Sequence, residues 1–308
     1  MSPFFTVVIP TFNCADYLER ALNSVFSQTY QNFEIIVVDN SSTDHTNRLL
    51  KSYNDKRLTV IEVNNNGIIA LSRNKGIENA KGDWIAFLDA DDLWYEEKLQ
   101  IVFNEIQSSK LIDVFSTDEF QIDEDTGTKT HLNYGPYCKD FYKILLLNGN
   151  RLSTSATIVN RNFLKKNRIT FREHKEFATV EDYDFWLLMA RAGAKFQFIE
   201  SIQGEYTIHS DNTSTQSGAH YQNGINVLKD HVYNLQAFEL NKDNLWQLIN
   251  SRLLISSAKN MYINKHYISS LEFILKAFCG SFMGTFNYIT TKINQKKNNV
   301  KSVDYIEN

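Results

Sequence analysis

The 308-residue chain contains only three cysteines, and they lie far apart. Cys14, Cys138 and Cys279 show no C-x-x-C spacing, which argues against a zinc site and against a disulfide framework. Such cysteine usage is typical of proteins in a reducing compartment. The first ten residues, MSPFFTVVIP, contain no basic segment, and their apolar run is too short for a signal peptide. We therefore expect a cytoplasmic protein.

Long apolar runs and a strong net charge are also lacking. No stretch approaches the roughly 18 uninterrupted apolar residues of a membrane-spanning helix. The formal net charge is −4, with 43% hydrophobic and 22% charged residues, so nothing indicates nucleic-acid binding. Neither G-x-G-x-x-G after the first apolar run nor G-x-x-x-x-G-K-[ST] occurs, which argues against a dinucleotide cofactor and a P-loop ATPase.

What the first hundred residues do contain is an alternation of short apolar runs and amphipathic segments. The unbroken apolar runs predict four strands, over 6–9, 33–38, 58–63 and 84–88. The segments between them predict helices, and Asn13 is placed to cap the first. Strands of this kind, separated by helices, are typical of a parallel sheet covered on both faces. Asp39 and Asp89 follow two of the strands, so we expect them to share one crevice.

The later part of the chain is less regular. It predicts a helix over 96–107, a polar loop over 123–130 and a helix over 182–192 that ends at Gly193. After about residue 225 the pattern is all-helical, with a helical hairpin that turns near Asn264 and Lys265.

Three carboxylates in four residues follow the fourth predicted strand, in WIAFLDADDLW (84–94). Asp89 and Asp91 are spaced to hold a hard divalent cation that keeps coordination positions for phosphate oxygens. The alternative is a solvated acidic turn in which Asp92 caps the next helix. A strand exit closed by apolar Leu93 favours the ligand site. Phosphatases of the haloacid dehalogenase type carry D-x-D-x-[TV] after the first strand, which this motif does not match.

Two other strand exits offer polar groups to a ligand. In VIPTFN (8–13), Pro10 fixes the backbone, and Thr11 and Asn13 are short polar residues beside which a flat ring or a ribose can approach. Asp39 ends the second strand and suits an imide N–H or a ribose hydroxyl.

A helix after the third strand carries a candidate cation. Asn66 and Gly67 predict a tight turn, and Arg73 follows it. Because three aspartates lie nearby, Arg73 has an electrostatic reason to point into the crevice. The alternative is a surface pair with Glu78.

The segment TVEDYDFWLLMA (179–190) combines a carboxylate with an apolar helix face. Asp182 lies at the N-terminal end of the face that Phe185 and Trp186 continue at i+3 and i+4. Partial burial raises the pKa of the Asp182 carboxyl, and the helix N-terminus lowers it. A general base needs a pKa that is adjusted by its surroundings in this way. A capping box with Thr179 is the alternative. Downstream, His209 in YTIHSDNTS is either a Mn²⁺ ligand or a structural histidine.

The segments VVIPTFN, FEIIVVDNSSTD, NNNGIIALSRNKGI and GDWIAFLDADD, in this order over about residues 4–98, resemble the nucleotide-binding half of family 2 glycosyltransferases. EDYDFWL and YTIH are similar to two later motifs of that family. The resemblance implies an α/β GT-A fold with a mainly parallel sheet flanked by helices. It implies a catalytic domain over 1–224, with a nucleotide-binding half over 1–98 and an acceptor-binding half over 99–224, and an α-helical C-terminal region over 225–308.

The resemblance also implies a nucleoside-diphosphate-sugar donor, most often UDP-linked, and a Mn²⁺ or Mg²⁺ ion. It places Thr11, Asp39, Arg73, Asp89 and Asp91 around the donor. We expect Pro10, Asn13, Asn66 and Ala90, which belong to the same segments, to bind the donor as well. The resemblance assigns the metal to Asp91 and His209 and the catalytic base to Asp182, and it places Asp92, Glu181 and Trp186 near the acceptor or in support of the site. One departure is Leu188, because that position is often Arg in the family.

We therefore expect an inverting glycosyltransferase, a hexosyl- or N-acetylhexosaminyltransferase. Its expected acceptor is a hydroxyl of a glycan or a lipid-linked glycan in bacterial capsule or O-antigen synthesis. A sugar-nucleotide pyrophosphorylase is one alternative, although PTFNCADYL is not the Gly-rich basic loop that it would need. The other is an inactive scaffold that binds sugar nucleotide, against which the intact Asp91 and Asp182 argue.

The C-terminal region carries an apolar helical face accompanied by lysines. The apolar positions are Leu271, Ile274, Leu275, Phe278, Phe282, Phe286, Ile289 and Ile293, and the lysines are Lys276, Lys292, Lys296, Lys297 and Lys301. One interpretation is a surface helix that rests on anionic lipid at the cytoplasmic face of the inner membrane. The other is a helix that packs on the catalytic domain or on a second copy in a homodimer. Both interpretations stay open on the sequence.

Overall fold

The computed structural model describes residues 5–109, 111–135, 137–209, 217–263, 265–280, 282, 284–286 and 288–290. The chain divides into two compact units, residues 1–137 with 151–220 and residues 138–150 with 221–308. The boundaries expected at residues 98 and 224 stay predictions.

The described residues of the first unit form a sheet of nine strands. The strands are β1 (Phe5–Thr11), β2 (Phe33–Asp39), β3 (Leu58–Glu62), β4 (Trp84–Phe87), β5 (Leu93–Trp94), β6 (Val114–Asp123), β7 (Lys129–Leu132), β8 (Thr157–Asn160) and β9 (Phe196–Ile208). Their order is β3-β2-β1-β4-β8-β6-β9-β5, and β7 pairs with β6. The sheet is mixed: β3, β2, β1 and β4 are parallel, whereas β8 runs antiparallel to β4 and β6.

The helices are α1 (Ala15–Phe26), α2 (Thr46–Ser52), α3 (Ile69–Asn79), α4 (Lys98–Ser108), α5 (Phe141–Asn148), α6 (Arg161–Asn167), α7 (Glu181–Arg191), α8 (Ser217–Asp230), α9 (Lys242–Ile263) and α10 (Tyr267–Gly280). The four strands predicted from apolar runs are present as β1 to β4, and every residue of β1, β2 and β4 is buried. This burial explains why these strands read as unbroken apolar runs rather than as alternating ones.

The start of α1 differs from the sequence expectation, because Asn13 does not cap it. Asn13 has a positive φ of 48°, and its side-chain oxygen accepts from the Thr43 N–H at 2.7 Å. Asp44 takes over the capping function: its carboxylate accepts from the Ala15 N–H at 3.2 Å and from the Thr46 N–H at 3.0 Å. One carboxylate therefore serves the first residues of both α1 and α2, which ties the two loops together.

Strands β6 and β9 were not predicted. They pair in parallel with register shifts around Asp118, and most side chains of β9 are only partly buried. Their mixed composition gives neither an apolar run nor a strict alternation, so local sequence does not identify them.

In the second unit, α10 packs on α9, and α5 contacts α9 as well. Ser270 of α10 donates to the Ala258 carbonyl at 2.8 Å. The hairpin predicted near residue 264 is present, with Lys265 at a φ of 64°, whereas Asn264 and Ile293 lie outside the described residues. No helix among the described residues has both the length and the apolar character to cross a membrane.

Candidate functional site

The carboxyl ends of β1, β2 and β4 lie at one edge of the sheet. Thr11 of β1 is the register partner of Asp39 of β2, and the Asn40 N–H donates to the Thr11 carbonyl at 2.9 Å. On the other side of β1, the Leu88 N–H donates to the Val8 carbonyl at 3.1 Å, one residue before Asp89. The structure therefore brings the three predicted strand exits together, as the parallel topology requires.

Asp39 is turned into its own loop. It is buried, and its carboxylate accepts from the Ser42 hydroxyl at 2.5 Å and from the Ser42 N–H at 3.3 Å. The Asn13 N–H donates to the same Ser42 oxygen at 2.9 Å. The loop after β2 is thus fixed against the loop after β1, where Pro10 and Thr11 are buried.

The turn before α3 has the predicted shape. Asn66 and Gly67 have φ values of 52° and 79°, and the Gly67 N–H donates to the Asn65 side chain at 2.8 Å. Farther along α3, a Cβ on Gly76 would come within 2.3 Å of a methyl group of Val8. The absence of a side chain at Gly76 therefore lets α3 approach β1 closely.

Arg73 points inward and joins two carboxylates. Its guanidinium is 4% exposed, donates to Asp89 Oδ1 at 2.7 Å and donates to Glu181 Oε1 at 2.5 Å. The alternative pair with Glu78 is not formed, because Glu78 pairs with Lys75. Burial alone would lower the pKa of Arg73, but the charges of Asp89 and Glu181 outweigh it and raise that pKa. Arg73 therefore carries a permanent charge between the acidic loop and α7.

The three aspartates of the acidic loop have different surroundings. Asp92 is buried; its Oδ2 accepts from the Ser155 hydroxyl at 2.5 Å and its Oδ1 from the Thr207 N–H at 2.9 Å. The same Ser155 oxygen accepts from the Asp89 N–H at 3.0 Å. The alternative in which Asp92 caps the next helix is not observed, because Glu97 precedes α4. Asp92 instead fastens the loop to β9 and to the segment before β8.

A buried polar cluster lies behind this loop. Lys98 is fully buried and donates to the Thr117 hydroxyl at 2.8 Å, and Tyr134 donates to Glu119 at 3.1 Å. Burial lowers the pKa of Lys98 to about 8, against the opposing charges of Glu119 and Asp92. The Lys98 ammonium group therefore lies near the carboxylates of Glu119 and Asp92, which would otherwise repel each other.

Asp91 faces His209, with Oδ2 and Nε2 3.2 Å apart. Burial, and then the charge of Asp89, raises the pKa of Asp91. The ring of Tyr17 stacks on His209 with a centroid distance of 4.8 Å and an interplanar angle of 17°. The Tyr17 hydroxyl donates to Glu124 at 2.5 Å, which raises the pKa of Tyr17 to about 12. Sequence reasoning missed Tyr17 and Glu124, since neither belongs to a recognisable motif.

The donor set at this position fits a hard divalent cation. Asp91 supplies a carboxylate and His209 an imidazole, both of which Mn²⁺ accepts. The described residues contain no group of three or more His, Cys, Asp or Glu side chains that could hold a metal. Two protein ligands leave positions for water and phosphate oxygens, as is usual for Mg²⁺ in phosphate sites.

Helix α7 presents Asp182 beside Glu181. Asp182 is partly exposed, and its pKa is raised to about 7 by burial and by the charge of Glu181, against the opposing charge of Arg73. The capping-box alternative is not observed, because Val180 precedes the helix and the Thr179 hydroxyl contacts the His220 ring at 3.3 Å.

The sequence analysis placed Trp186 near the acceptor or in support of the site, and the structure excludes contact of its ring with an acceptor. Trp186 is fully buried and contacts the rings of Phe87 and Phe185, so it has no exposed face on which an acceptor sugar could stack. An indole at i+4 from Asp182 on an amphipathic helix belongs to the core-facing stripe.

Comparison with known proteins identifies the chain. Residues 6–168 match the sequence model described as Glycosyl transferase family 2. The chain belongs to this family, and it is a glycosyltransferase.

Among its relatives is the UDP-Glc:alpha-D-GlcNAc-diphosphoundecaprenol beta-1,3-glucosyltransferase WfaP of Escherichia coli, which is 30% identical over 233 residues. That alignment covers 73% of this chain and 85% of WfaP. Two further bacterial relatives are covered over only 40% and 42% of their own length.

Two solved structures show the same fold. TarS residues 1–349 from S. aureus, in complex with UDP-GlcNAc, has a TM-score of 0.67 at 21% identity, over 89% of this chain and 81% of TarS. The mannosyltransferase PcManGT of Pyrobaculum calidifontis, in complex with GDP-Man and Mn²⁺, has a TM-score of 0.60 at 16% identity, over 99% of this chain and 85% of PcManGT. The GT-A fold with a helical C-terminal region is thereby confirmed.

Proposed function

We propose that the chain is an inverting glycosyltransferase that uses a nucleoside-diphosphate sugar, UDP-linked, as its donor. The acceptor is a hydroxyl of a glycan or a lipid-linked glycan that is built into a bacterial surface polysaccharide. The observation that carries the proposal is the arrangement around Arg73, whose two hydrogen bonds join Asp89 of the acidic loop to Glu181 of α7. Asp182, the next residue of α7, has a pKa raised to about 7.

The donor is proposed to lie along the carboxyl edge of β1, β2 and β4. Its proposed contacts are those expected from the sequence: Pro10, Thr11, Asn13, Asp39, Asn66, Arg73, Asp89, Ala90 and Asp91. Asp39 and Asp89 are suited to N–H and hydroxyl donors of the nucleoside, because each follows a strand at this edge.

In the proposed step, Asp182 accepts the proton of the acceptor hydroxyl while that oxygen forms a bond to the anomeric carbon. The bond between this carbon and the diphosphate oxygen breaks on the opposite side, so the configuration inverts and the nucleoside diphosphate leaves with the electron pair. A carboxylate with a pKa near 7 is half ionised at neutral pH and basic enough to assist this transfer. Glu181 and Arg73 hold the start of α7 in register with the acidic loop.

Asp91 and His209 are the proposed ligands of a Mn²⁺ or Mg²⁺ ion. When bound, such an ion supplies Lewis-acid stabilisation of charge on the departing diphosphate. Asp92 supports these ligands by fixing the loop to Thr207, two residues before His209.

Three relatives support the choice of substrates. The name of WfaP specifies UDP-Glc and a diphosphoundecaprenol-linked acceptor, and TarS was solved with UDP-GlcNAc. PcManGT was solved with GDP-Man and Mn²⁺, so a guanosine-linked donor belongs in any screen.

The test is release of nucleoside diphosphate from UDP-Glc, UDP-Gal, UDP-GlcNAc and GDP-Man, with Mn²⁺, with Mg²⁺ and with EDTA. We expect turnover of one UDP-sugar with metal only, and a loss of about 10²- to 10⁴-fold in Asp182→Asn. Asp91→Asn should lose turnover as well. Asp83→Asn, an exposed carboxylate before β4, is the matched control and should keep full activity.

Normal turnover by Asp182→Asn would refute the base assignment. Formation of pyrophosphate from a sugar 1-phosphate and UTP would instead indicate the pyrophosphorylase. Donor binding without turnover under every condition would indicate the scaffold. The anomeric configuration of the product, read by NMR, decides whether the transfer inverts.

A further inference from the structure

The C-terminal helices of the second unit carry an exposed apolar stripe, defined here as Ile268, Leu271, Leu275, Phe282 and Phe286. Each of these side chains is between 51% and 79% exposed among the described residues. Ile268, Leu271 and Leu275 follow one another at intervals of three and four residues, which keeps them on one side of α10. Phe282 and Phe286 are four residues apart in the helical residues described after α10. The rings of Phe282 and Phe286 stack with a centroid distance of 6.4 Å, so the stripe continues past the end of α10.

The opposite side of α10 is occupied. Ser270 and Ala277 are buried, and Ser270 donates to the Ala258 carbonyl of α9. One side of α10 is therefore used for packing within the unit. Soluble monomers rarely expose a contiguous apolar patch of this extent, and such patches mark a binding surface.

The charge of this region differs from that of the whole chain. Residues 259–301 contain seven lysines and one glutamate, which gives a formal charge of +6 in a chain whose net charge is −4. Four of these lysines, at 292, 296, 297 and 301, follow the stripe directly along the sequence. An apolar stripe accompanied by lysines matches a surface in which negatively charged groups cover an apolar layer.

We propose that the stripe inserts into the interface of an anionic lipid bilayer, with α10 parallel to the membrane plane and with the positive charge of residues 259–301 attracting the anionic headgroups. A second copy of the chain fits less well, because both copies would carry the same formal charge of +6 over residues 259–301, whereas an anionic bilayer complements that charge. The proposal goes beyond the proposed function and does not depend on the identity of the donor or the acceptor.

The test is sedimentation of the full chain with vesicles of pure phosphatidylcholine or of phosphatidylcholine with 30% phosphatidylglycerol. We expect strong partitioning to the anionic vesicles, weak partitioning to the neutral ones and weakening by 0.5 M NaCl. The triple variant Leu271→Ser, Leu275→Ser, Phe282→Ser should bind at least about tenfold more weakly. Leu240→Ser is the control, because Leu240 is 97% exposed in the same unit and outside the stripe.

A second variant tests the charge without touching the stripe. Replacing lysines 292, 296, 297 and 301 with glutamine should weaken binding to anionic vesicles by about fivefold per lysine near the surface. The control replaces Lys51, Lys56, Lys165 and Lys166, which are exposed lysines of the first unit. Because all of these residues are exposed or lie in the lysine-rich end, melting temperatures should match that of the wild type.

Several outcomes would overturn the proposal. One is no vesicle binding, or binding that the triple and lysine variants leave unchanged. Another is a dimer in sedimentation velocity that the triple variant splits while vesicles stay unbound, which assigns the stripe to a second copy. A lowered melting temperature of the triple variant without a change in vesicle binding would show that the protein itself covers the stripe.

Discussion

Replacing Arg73 with methionine removes a buried cation that joins the acidic loop to α7. Glu181, whose side chain is 6% exposed, and Asp89 then lose their counter-charge together. Breaking a buried ion pair by removing one partner costs about 3–5 kcal/mol, because the remaining charge is uncompensated. Arg73→Lys keeps the positive charge but places it on one nitrogen, whereas Arg73 uses two nitrogens for its two carboxylate partners. Because the counter-charge remains, its loss of stability should be smaller than that of Arg73→Met.

Arg73→Met should also change the pKa of Asp182. Arg73 lowers the pKa of Asp182 from what burial and Glu181 would otherwise produce, and the resulting value is about 7. Loss of a nearby opposite charge raises a carboxyl pKa by about one unit or more. The base is active when ionised, so its ionised fraction at pH 7 should fall from about one half to about one tenth. The acid limb of the pH–rate profile should therefore move to higher pH.

The assay is kcat/KM for transfer between pH 5.5 and 9, with thermal unfolding measured on the same samples. Arg172→Met is the matched control, because Arg172 pairs with buried Asp184 on the helix that carries Asp182, and Arg172 is not among the main charges that shift the pKa of Asp182. It should lower stability and leave the acid limb in place. An acid limb that is unchanged, or lower, in Arg73→Met would refute the coupling of Arg73 to the base, whereas Arg73→Lys, which keeps the charge, should shift the acid limb less.

Three further outcomes follow from contacts described above. Tyr17→Leu removes the ring that stacks on His209, and it should weaken Mn²⁺ binding measured by calorimetry about 10- to 100-fold; unchanged affinity would deny Tyr17 this positioning role. Ser155→Ala removes the hydroxyl that donates to the buried Asp92 carboxylate and accepts from the Asp89 N–H. It should lower the free energy of unfolding in urea by about 1–3 kcal/mol and raise the KM for the sugar donor. Gly76→Ala forces a methyl group against β1 and should cost about 1–3 kcal/mol, whereas Gly224→Ala, with open space in α8, should be neutral or stabilise by about 1 kcal/mol; equal effects would contradict the close packing of α3.

The parallel half of the sheet was predictable because its signals are local. Strands β1, β2 and β4 are buried, mainly apolar runs, and β3 is rich in β-branched residues. The loop that follows β3 needs turn residues such as Asn66 and Gly67. The direction of Arg73 was also predictable, since a cation near three aspartates has a strong electrostatic preference. In each case the deciding interaction involves neighbours in sequence or the known geometry of parallel strands.

The hydrogen-bond partners of the individual aspartates were not predictable. Asp92 looked like a helix cap because its neighbours along the chain allow that role, but Ser155 and Thr207 bind it from 63 and 115 residues away. Asn13 failed as a cap for a similar reason, since Thr43 takes its side-chain oxygen and Asp44 supplies the cap instead. Contacts between distant segments do not produce a regular residue pattern in either segment, so they cannot be predicted from the local sequence.

Strand β9 illustrates a second limit. Its thirteen residues have a mixed burial pattern and pair with β6 on one side and with β5 on the other. A strand with two different neighbours and a shifted register satisfies no single period, so pattern reasoning leaves it unassigned.

Helix α5 has a consequence for how the protein is made. Its buried side chains Phe141, Leu145 and Leu146 belong to a unit that α9 completes, and α9 begins only at Lys242. At about 5–20 residues per second, the ribosome delivers α9 roughly 5 to 20 s after α5. During that interval the nascent chain carries an apolar helix that awaits its partner. A chain stopped at residue 224 would stay in that state, so it should aggregate or bind chaperones even if its sheet is complete.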